Sequence, residues 1–289
     1  MKKILSVLFI ACIAMLFASC HKDGVYNPSK KISKIYYTDD GGNKSLRQVW
    51  TWNKNNTLEK IDYYSGGTLS YTYNFTYEKK RLVRMNNYAA NSYAEYKYDN
   101  NGLKEVNVYS GGTLNDTYTF THKNGKIVKI IDTYLDSKSA DQEFNKNSLQ
   151  FVLPEELYTA AVNAQKKFKV DEGKSTRVYT YELTWEKGNI TKLTETVSGS
   201  SANITYVIKY DNKKNPYYGA CLNRYYEDNV TGGYLCKNNV TSGEETYVDE
   251  DGVETDMFNY EYTYDGQYPI SRRYMGNNYT TLTEFEYTK

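Results

Sequence analysis

Histidine is almost missing from this sequence: its 289 residues contain two, His21 and His122. A zinc centre or a histidine acid–base pair therefore lacks its usual side chains. His122 stands where a sister repeat has Tyr77, so it reads as another aromatic-sized strand residue. Also missing are a phosphate-cradling loop, a dinucleotide fingerprint and a nucleophile elbow. The expectation is a protein with no metal, no cofactor and no enzymatic activity. Neither sign of charge dominates, with 36 Lys and Arg against 35 Asp and Glu. A nucleic-acid partner would need a basic surface, so none is expected. Phe is scarce at 9 while Tyr reaches 33. Tyr suits strands as well as Phe does, but a buried hydroxyl needs a partner, which points to wide, partly wet sheet faces.

The longest apolar run covers residues 4–17, behind Lys2 and Lys3. Its length fits the core of a secretion signal and is short for a bilayer span. It ends in Leu16-Phe17-Ala18-Ser19-Cys20, which resembles the lipobox of bacterial lipoproteins, with Phe17 where Leu is usual. The resemblance implies cleavage before Cys20 and acylation of its thiol, several acyl chains giving a stable lipid anchor in the membrane. Residues 1–20 are then a lipoprotein signal peptide, and residues 21–31, with Gly24, Pro28 and Ser29, a tether. His21-Lys22-Asp23 partly resembles the signal that sends lipoproteins of Bacteroidetes to the cell surface. Gly24 interrupts it, so the periplasmic and surface faces of the outer membrane both stay open. Of four cysteines, Cys12 leaves with the signal and Cys20 takes the lipid. Cys221 and Cys236 remain; in an oxidising compartment such a pair reads as a disulfide, with two buried free thiols as the alternative.

Internal repetition carries the fold. Tyr64-Ser-Gly-Gly-Thr-Leu69 recurs letter for letter as Tyr109-Ser-Gly-Gly-Thr-Leu114, and the match runs on through Tyr73 with Tyr118, Phe75 with Phe120 and Leu82 with Ile127. Each unit holds two hairpins, with Gly and Asn serving the positive-φ turn positions. An apolar pair three residues apart follows the turns: Leu58/Ile61, Leu82/Met85, Leu103/Val106, Ile127/Ile130 and Ile190/Leu193. That offset puts the two on opposite faces of a flat strand, so either both faces are covered or a bulge resets the alternation. Helix would also give such an offset, but the regular turn signals favour a meander of strands. Around 138–170 the Tyr alternation stops. Pro154-Glu155-Glu156 looks like a helix start, and Leu157, Ala161, Ala164 and Phe168 form one apolar stripe that reads as a packing face. The expected fold is all-β over residues 32–289. It is an antiparallel meander of Tyr-rich hairpin repeats forming a large curved sheet or open barrel, with one inserted helix over an end.

The stretch Tyr96-Lys-Tyr-Asp-Asn-Asn-Gly-Leu103 resembles the YD repeat of RHS proteins. The series Trp185-Glu-Lys-Gly-Asn189, Tyr210-Asp-Asn-Lys-Lys-Asn-Pro216 and Tyr262-Thr-Tyr-Asp-Gly-Gln-Tyr-Pro269 is similar to a domain of unknown function in Bacteroidetes lipoproteins. That family is described as porin-like, which implies an open or closed barrel and attaches no activity or site residues. A strand facing lipid needs an apolar outer face. Here the alternate positions are Thr72, Asn74, Thr76, Glu78 and Glu261, Thr263, Asp265, so a lipid-tethered sheet in water is expected.

For function, the aromatic ladders offer flat faces with polar rims, suited to a glycan or an extended peptide. Trp50, Trp52 and Trp185 are the candidate ligand-binding residues, with cross-strand packing as their structural alternative. A binding module of the envelope is the leading expectation. A structural or accessory lipoprotein contacting another envelope protein is the second, and a glycan-active hydrolase the third. The acidic run Asp249-Glu-Asp251-Gly252-Val-Glu254 lacks the ligand spacing of a calcium loop and reads as a solvated hairpin turn.

Overall fold

The computed structural model describes residues 23–288 apart from 40, 89–90, 136–148, 150, 155, 159–160, 162–175, 223–232 and 277–279. Its strands run in chain order as β1 (Ile32–Thr38), β2 (Lys44–Trp52), β3 (Leu58–Ser65), β4 (Thr68–Glu78), β5 (Arg81–Asn87), β6 (Ser92–Asp99), β7 (Gly102–Ser110) and β8 (Thr113–Lys123). They continue as β9 (Lys126–Leu135), β10 (Thr176–Glu186), β11 (Asn189–Val197), β12 (Asn203–Tyr210), β13 (Val240–Asp249), β14 (Gly252–Asp265), β15 (Tyr268–Met275) and β16 (Thr280–Tyr287). Each strand pairs antiparallel with its sequence neighbours, and β1 pairs with β16, Ile35 facing Phe285. The expected meander therefore closes into a barrel of sixteen strands and leaves no free edge.

The three-residue offset is explained by bulges. Opposite Trp52, Tyr77, Tyr98, His122 and Trp185 the register slips by one residue, so that Leu58, Leu82, Leu103, Ile127 and Ile190 face those aromatics. Their partners Ile61, Met85, Val106, Ile130 and Leu193 then return to the same inner face, and all ten side chains are buried. The remaining odd-numbered strands carry a slip at the same level, on β1, β13 and β15. A bulge bends its strand and raises the local twist, and one in each odd-numbered strand at one level curls the sheet toward closure.

At five of these eight bulges the adjacent aromatic also ties neighbouring hairpins together. Trp52, Tyr98, Trp185, Tyr210 and Tyr287 donate to the carbonyls of Ile32, Leu82, Ile127, Ile190 and Pro269 at 2.6–2.8 Å. A bulge leaves backbone groups outside the ladder, and a long side chain with a polar tip satisfies them. Phe cannot do this, which accounts for part of the Tyr excess.

The two ends of the barrel differ. At one, short turns join β2 to β3, β4 to β5, β6 to β7, β8 to β9, β10 to β11 and β14 to β15, and the long 211–239 connection joins β12 to β13. This end is covered. Residues 23–31 cross it from β7, where Asp23 accepts from Leu103 N–H, past β5, where the Gly24 carbonyl accepts from Leu82 N–H, to Tyr26, which is buried against Trp50 and Trp52. The 211–239 connection binds the turns at Gly188 and Gln267 through the N–H groups of Lys237 and Lys214. We call this the docked end. At the far end are the two Gly-Gly hairpins, where Gly66, Gly67, Gly111 and Gly112 all have positive φ. The acidic run there is the β13–β14 hairpin turn, with Asp249 accepting from the N–H groups of Asp251 and Gly252.

A barrel of sixteen strands is too wide for its own wall side chains to fill, and in membrane porins of this size a water channel remains. Here long tyrosines, including the fully buried Tyr63, Tyr118, Tyr179, Tyr181 and Tyr206, project inward. The insertion between β9 and β10 adds to the filling. Phe151 packs on Tyr118 and Phe120 of β8 and on Tyr234, while Glu156 reaches β14, β15 and β16. Contact with opposite walls places this segment inside the lumen, where an end-capping helix had been expected. It holds helical residues at 156–158, Tyr158 N–H donating to Pro154, and Leu157 and Ala161 of the expected stripe are buried. Ala164 and Phe168 lie outside the described residues.

The outer wall is polar. Lys60 lies beside Asp62, Arg84 pairs across strands with Glu95, Lys97 with Glu105 and Lys44 with Glu284. No described helix is long and apolar enough to cross a membrane.

Candidate functional site at the docked end

A cavity of about 220 Å³ opens at the docked end, beneath residues 23–24 and beside the β8–β9 turn. Asp23 and Lys126 supply its charged groups, Trp185, Tyr218 and Tyr234 its aromatic rings, and Asn124 a neutral polar group. Trp185 is the last inward aromatic of β10, and its N–H is donated to the Ile127 carbonyl, which fixes the ring in the cavity wall. The Lys126 ammonium stands 4.5 Å from the centre of that ring. Asp23 Oδ2 accepts from Leu103 N–H at 3.1 Å and lies 3.1 Å from His122 Nε2. His122 is the short member of the aromatic ring, and Asp23 bridges the gap that a longer Tyr or Trp spans elsewhere. The cavity thus sets one cation and one carboxylate against an aromatic and apolar lining. Such a lining suits a small polar molecule with one apolar face, of about the size of a single sugar ring.

The other two candidate tryptophans are elsewhere. Trp50 is buried, donates to Gln48 Oε1 at 2.8 Å, and packs on Tyr26, Trp52 and Tyr217. Trp52 is half-buried, with Tyr26 on one side and the Lys31 ammonium 5.6 Å from its ring. Trp50 and Trp52 thus form one packing cluster under the N-terminal segment, separate from Trp185. Cys20 lies outside the described residues.

The disulfide expected between Cys221 and Cys236 is absent: both are buried free thiols. Cys236 sits against β12, 3.2 Å from the Tyr210 hydroxyl, whereas Cys221 lies across the end near Asp23, Tyr77 and Tyr98. Different neighbours on different strands hold them apart. Burial pushes the Cys236 thiol up to about 11 and raises Cys221 as well, so both stay protonated.

Several buried polar groups were not singled out by the sequence pattern, and two clusters among the described residues bear on chemistry. Arg272 donates to Glu156 Oε1 at 2.9 Å, both almost fully buried, while Tyr260 and Thr281 donate to the same carboxylate at 3.1 and 3.4 Å. The signal was present: Pro269 and Arg272 occupy the bulge-pair positions that Leu58 and Ile61 hold in β3, so Arg272 had to point inward. The second group is Asp116 with Asp132 on β8 and β9, where burial and then the neighbouring Asp132 hold the Asp116 carboxyl well above the usual range. Two close carboxyls suggest acid–base chemistry, but both are sealed in the lumen wall and neither lines the cavity.

Fold and site together define a closed antiparallel meander barrel with a filled lumen and a ligand-sized recess at one end. No family model and no curated protein matches the sequence. Solved structures do match. A porin-like protein from Bacteroides vulgatus ATCC 8482 is similar with TM-score 0.56 at 9% identity, over 90% of this chain and 99% of that one. A porin-like protein from Bacteroides uniformis ATCC 8492 gives TM-score 0.49 at 13% identity, over 92% of this chain and 100% of that one. At 9% identity the likeness to the first is one of fold.

Proposed function

We propose that this chain is a lipid-anchored barrel of the bacterial envelope that binds a small polar ligand, a single sugar ring being the best fit, in the recess beside Trp185. The lipobox-like run before Cys20 supports the anchor, and the likeness to porin-like proteins of Bacteroides supports an envelope setting. The observation that carries the binding role is the recess itself. Among the described residues, it is where a sequence-nominated tryptophan, a cation and a carboxylate converge on open volume. The filled lumen argues for holding a ligand over passing one through.

The test is a titration of the mature protein with a panel of neutral, amino and acidic monosaccharides, read by intrinsic fluorescence. A saturable change that Trp185→Phe abolishes, with far-ultraviolet circular dichroism intact, supports the reading. If no sugar produces a concentration-dependent change, the sugar-binding role is wrong.

A second reading, an accessory protein contacting another envelope protein, is favoured by one observation. The β13–β14 hairpin at the far end leaves Val253 and Met257 each more than 60% exposed, set among Glu254 and Asp256. A protein captured from envelope extract by the wild type and lost with Val253→Ser and Met257→Ser would select this reading.

A further inference from the structure

We propose that the barrel stands on its docked end, with the lysines of that rim facing an anionic phospholipid surface. The proposal rests on acylation of Cys20; what it adds is the direction of the barrel axis.

The first argument is chain length. Only His21 and Lys22 separate Cys20 from Asp23, and Asp23 is fixed to the docked end through Leu103 and His122. The attachment is built into the sequence at two glycines. A Cβ on Gly24 would fall 1.9 Å from the Tyr98 hydroxyl, and one on Gly102 would fall 2.3 Å from Asp23 Oδ2. An extended chain covers about 3.3–3.6 Å per residue, so the acylated cysteine lies within roughly 10 Å of this end. A tether that short cannot turn the far end toward the membrane.

The second argument is charge. Lys54, Lys79, Lys80, Lys123, Lys187 and Lys214 are exposed around the docked rim. With the exposed Lys104 and Lys237 they outnumber its exposed acids Glu59, Glu78, Asp99, Glu186 and Asp265, of which Asp265 is paired with Lys30. At the far end the described exposed charges are mostly acidic: Asp39, Glu250, Asp251, Glu254 and Asp256 against Lys44 and Arg273. The whole chain is nearly neutral, so this is a separation of charge along the axis. Basic groups are attracted to an anionic leaflet within about a Debye length, 8–10 Å, which the short tether satisfies.

The experiment uses the full chain, purified from membranes and reconstituted into vesicles of phosphatidylethanolamine and phosphatidylglycerol. Lysines are labelled with a water-soluble amine reagent and read by mass spectrometry, against the same protein in neutral detergent. The expected result is several-fold slower labelling of Lys54, Lys79, Lys80, Lys123 and Lys187 in vesicles, with Lys44 unchanged. Replacing Lys79, Lys80 and Lys123 together by Glu should restore fast labelling of Lys54 and Lys187. Equal labelling in vesicles and detergent, or protection of Lys44 instead, overturns the orientation. The intact mass separates the two readings: an acylated Cys20 with uniform labelling removes the orientation alone, and an unmodified Cys20 removes both.

Discussion

At the scale of single residues, the Arg272–Glu156 pair is where this barrel departs furthest from its own repeat. The wall position taken by Arg272 is apolar on β3, β5, β7, β9 and β11, and the charge is answered by a carboxylate from the luminal insertion. A buried pair contributes little net stability compared with apolar replacements, yet losing one partner strands the other, at about 3–5 kcal/mol. Arg272→Met should therefore lower the melting temperature by roughly 10 °C, since each kcal/mol corresponds to a few degrees in a protein of this size. Adding Glu156→Leu should recover most of the loss, leaving the Tyr260 and Thr281 hydroxyls without that acceptor as the residual cost. A thermal-melt double-mutant cycle checks this. If the double variant is as unstable as the sum of the singles, the two residues are not coupled. Arg272 was legible in the sequence as the charged member of a three-apart pair, but its partner was not, because Glu156 lies in a segment without the repeat.

At the scale of elements, the repeat was readable and its geometry was not. Turn residues, alternation and the letter-for-letter recurrence of Tyr64–Leu69 at Tyr109–Leu114 marked the hairpins, because local backbone demands are written in local residues. The offset of Leu58 from Ile61 admitted two faces, a helix or a bulge, and only the pairing of β2 with β3 decides for the bulge. The cysteine count misled for the opposite reason. A pair left over in an oxidising compartment says nothing of the strands against which Cys221 and Cys236 pack. The Gly-Gly hairpins allow a direct check of local demand. Gly67 has φ +79, and a Cβ added there would have no neighbour within 4 Å, so a side chain meets only backbone strain. Gly67→Ala should cost about 1–2 kcal/mol in chemical denaturation, and Gly67→Asn less, since Asn tolerates the left-handed region. Equal losses for both would point to a steric contact in place of backbone strain.

At the scale of the whole molecule, closure and filling had no local signature. A meander of this pattern is compatible with an open sheet, and closure depends on summed twist and bulging around the full circuit. What the sequence did carry is the polarity of the outer wall, and the structure turns this into an energetic argument. Lys60, Arg84, Lys97, Lys192 and Arg273 all lie on the outer wall, and a basic side chain facing lipid costs about 2–4 kcal/mol near the bilayer midplane. Even a few such charges near the midplane outweigh the net stability of about 5–15 kcal/mol typical of a folded protein. The lumen argues in the same direction, since Phe151, Glu156 and the inward tyrosines occupy the space through which a porin conducts. The mature chain with Cys20→Ser should therefore stay in detergent-free buffer after ultracentrifugation. Added to planar lipid bilayers, it should give no conductance steps. Stable ion-conducting steps, or a requirement for detergent to stay in solution, would show that the wall meets lipid and that the water-facing barrel is wrong.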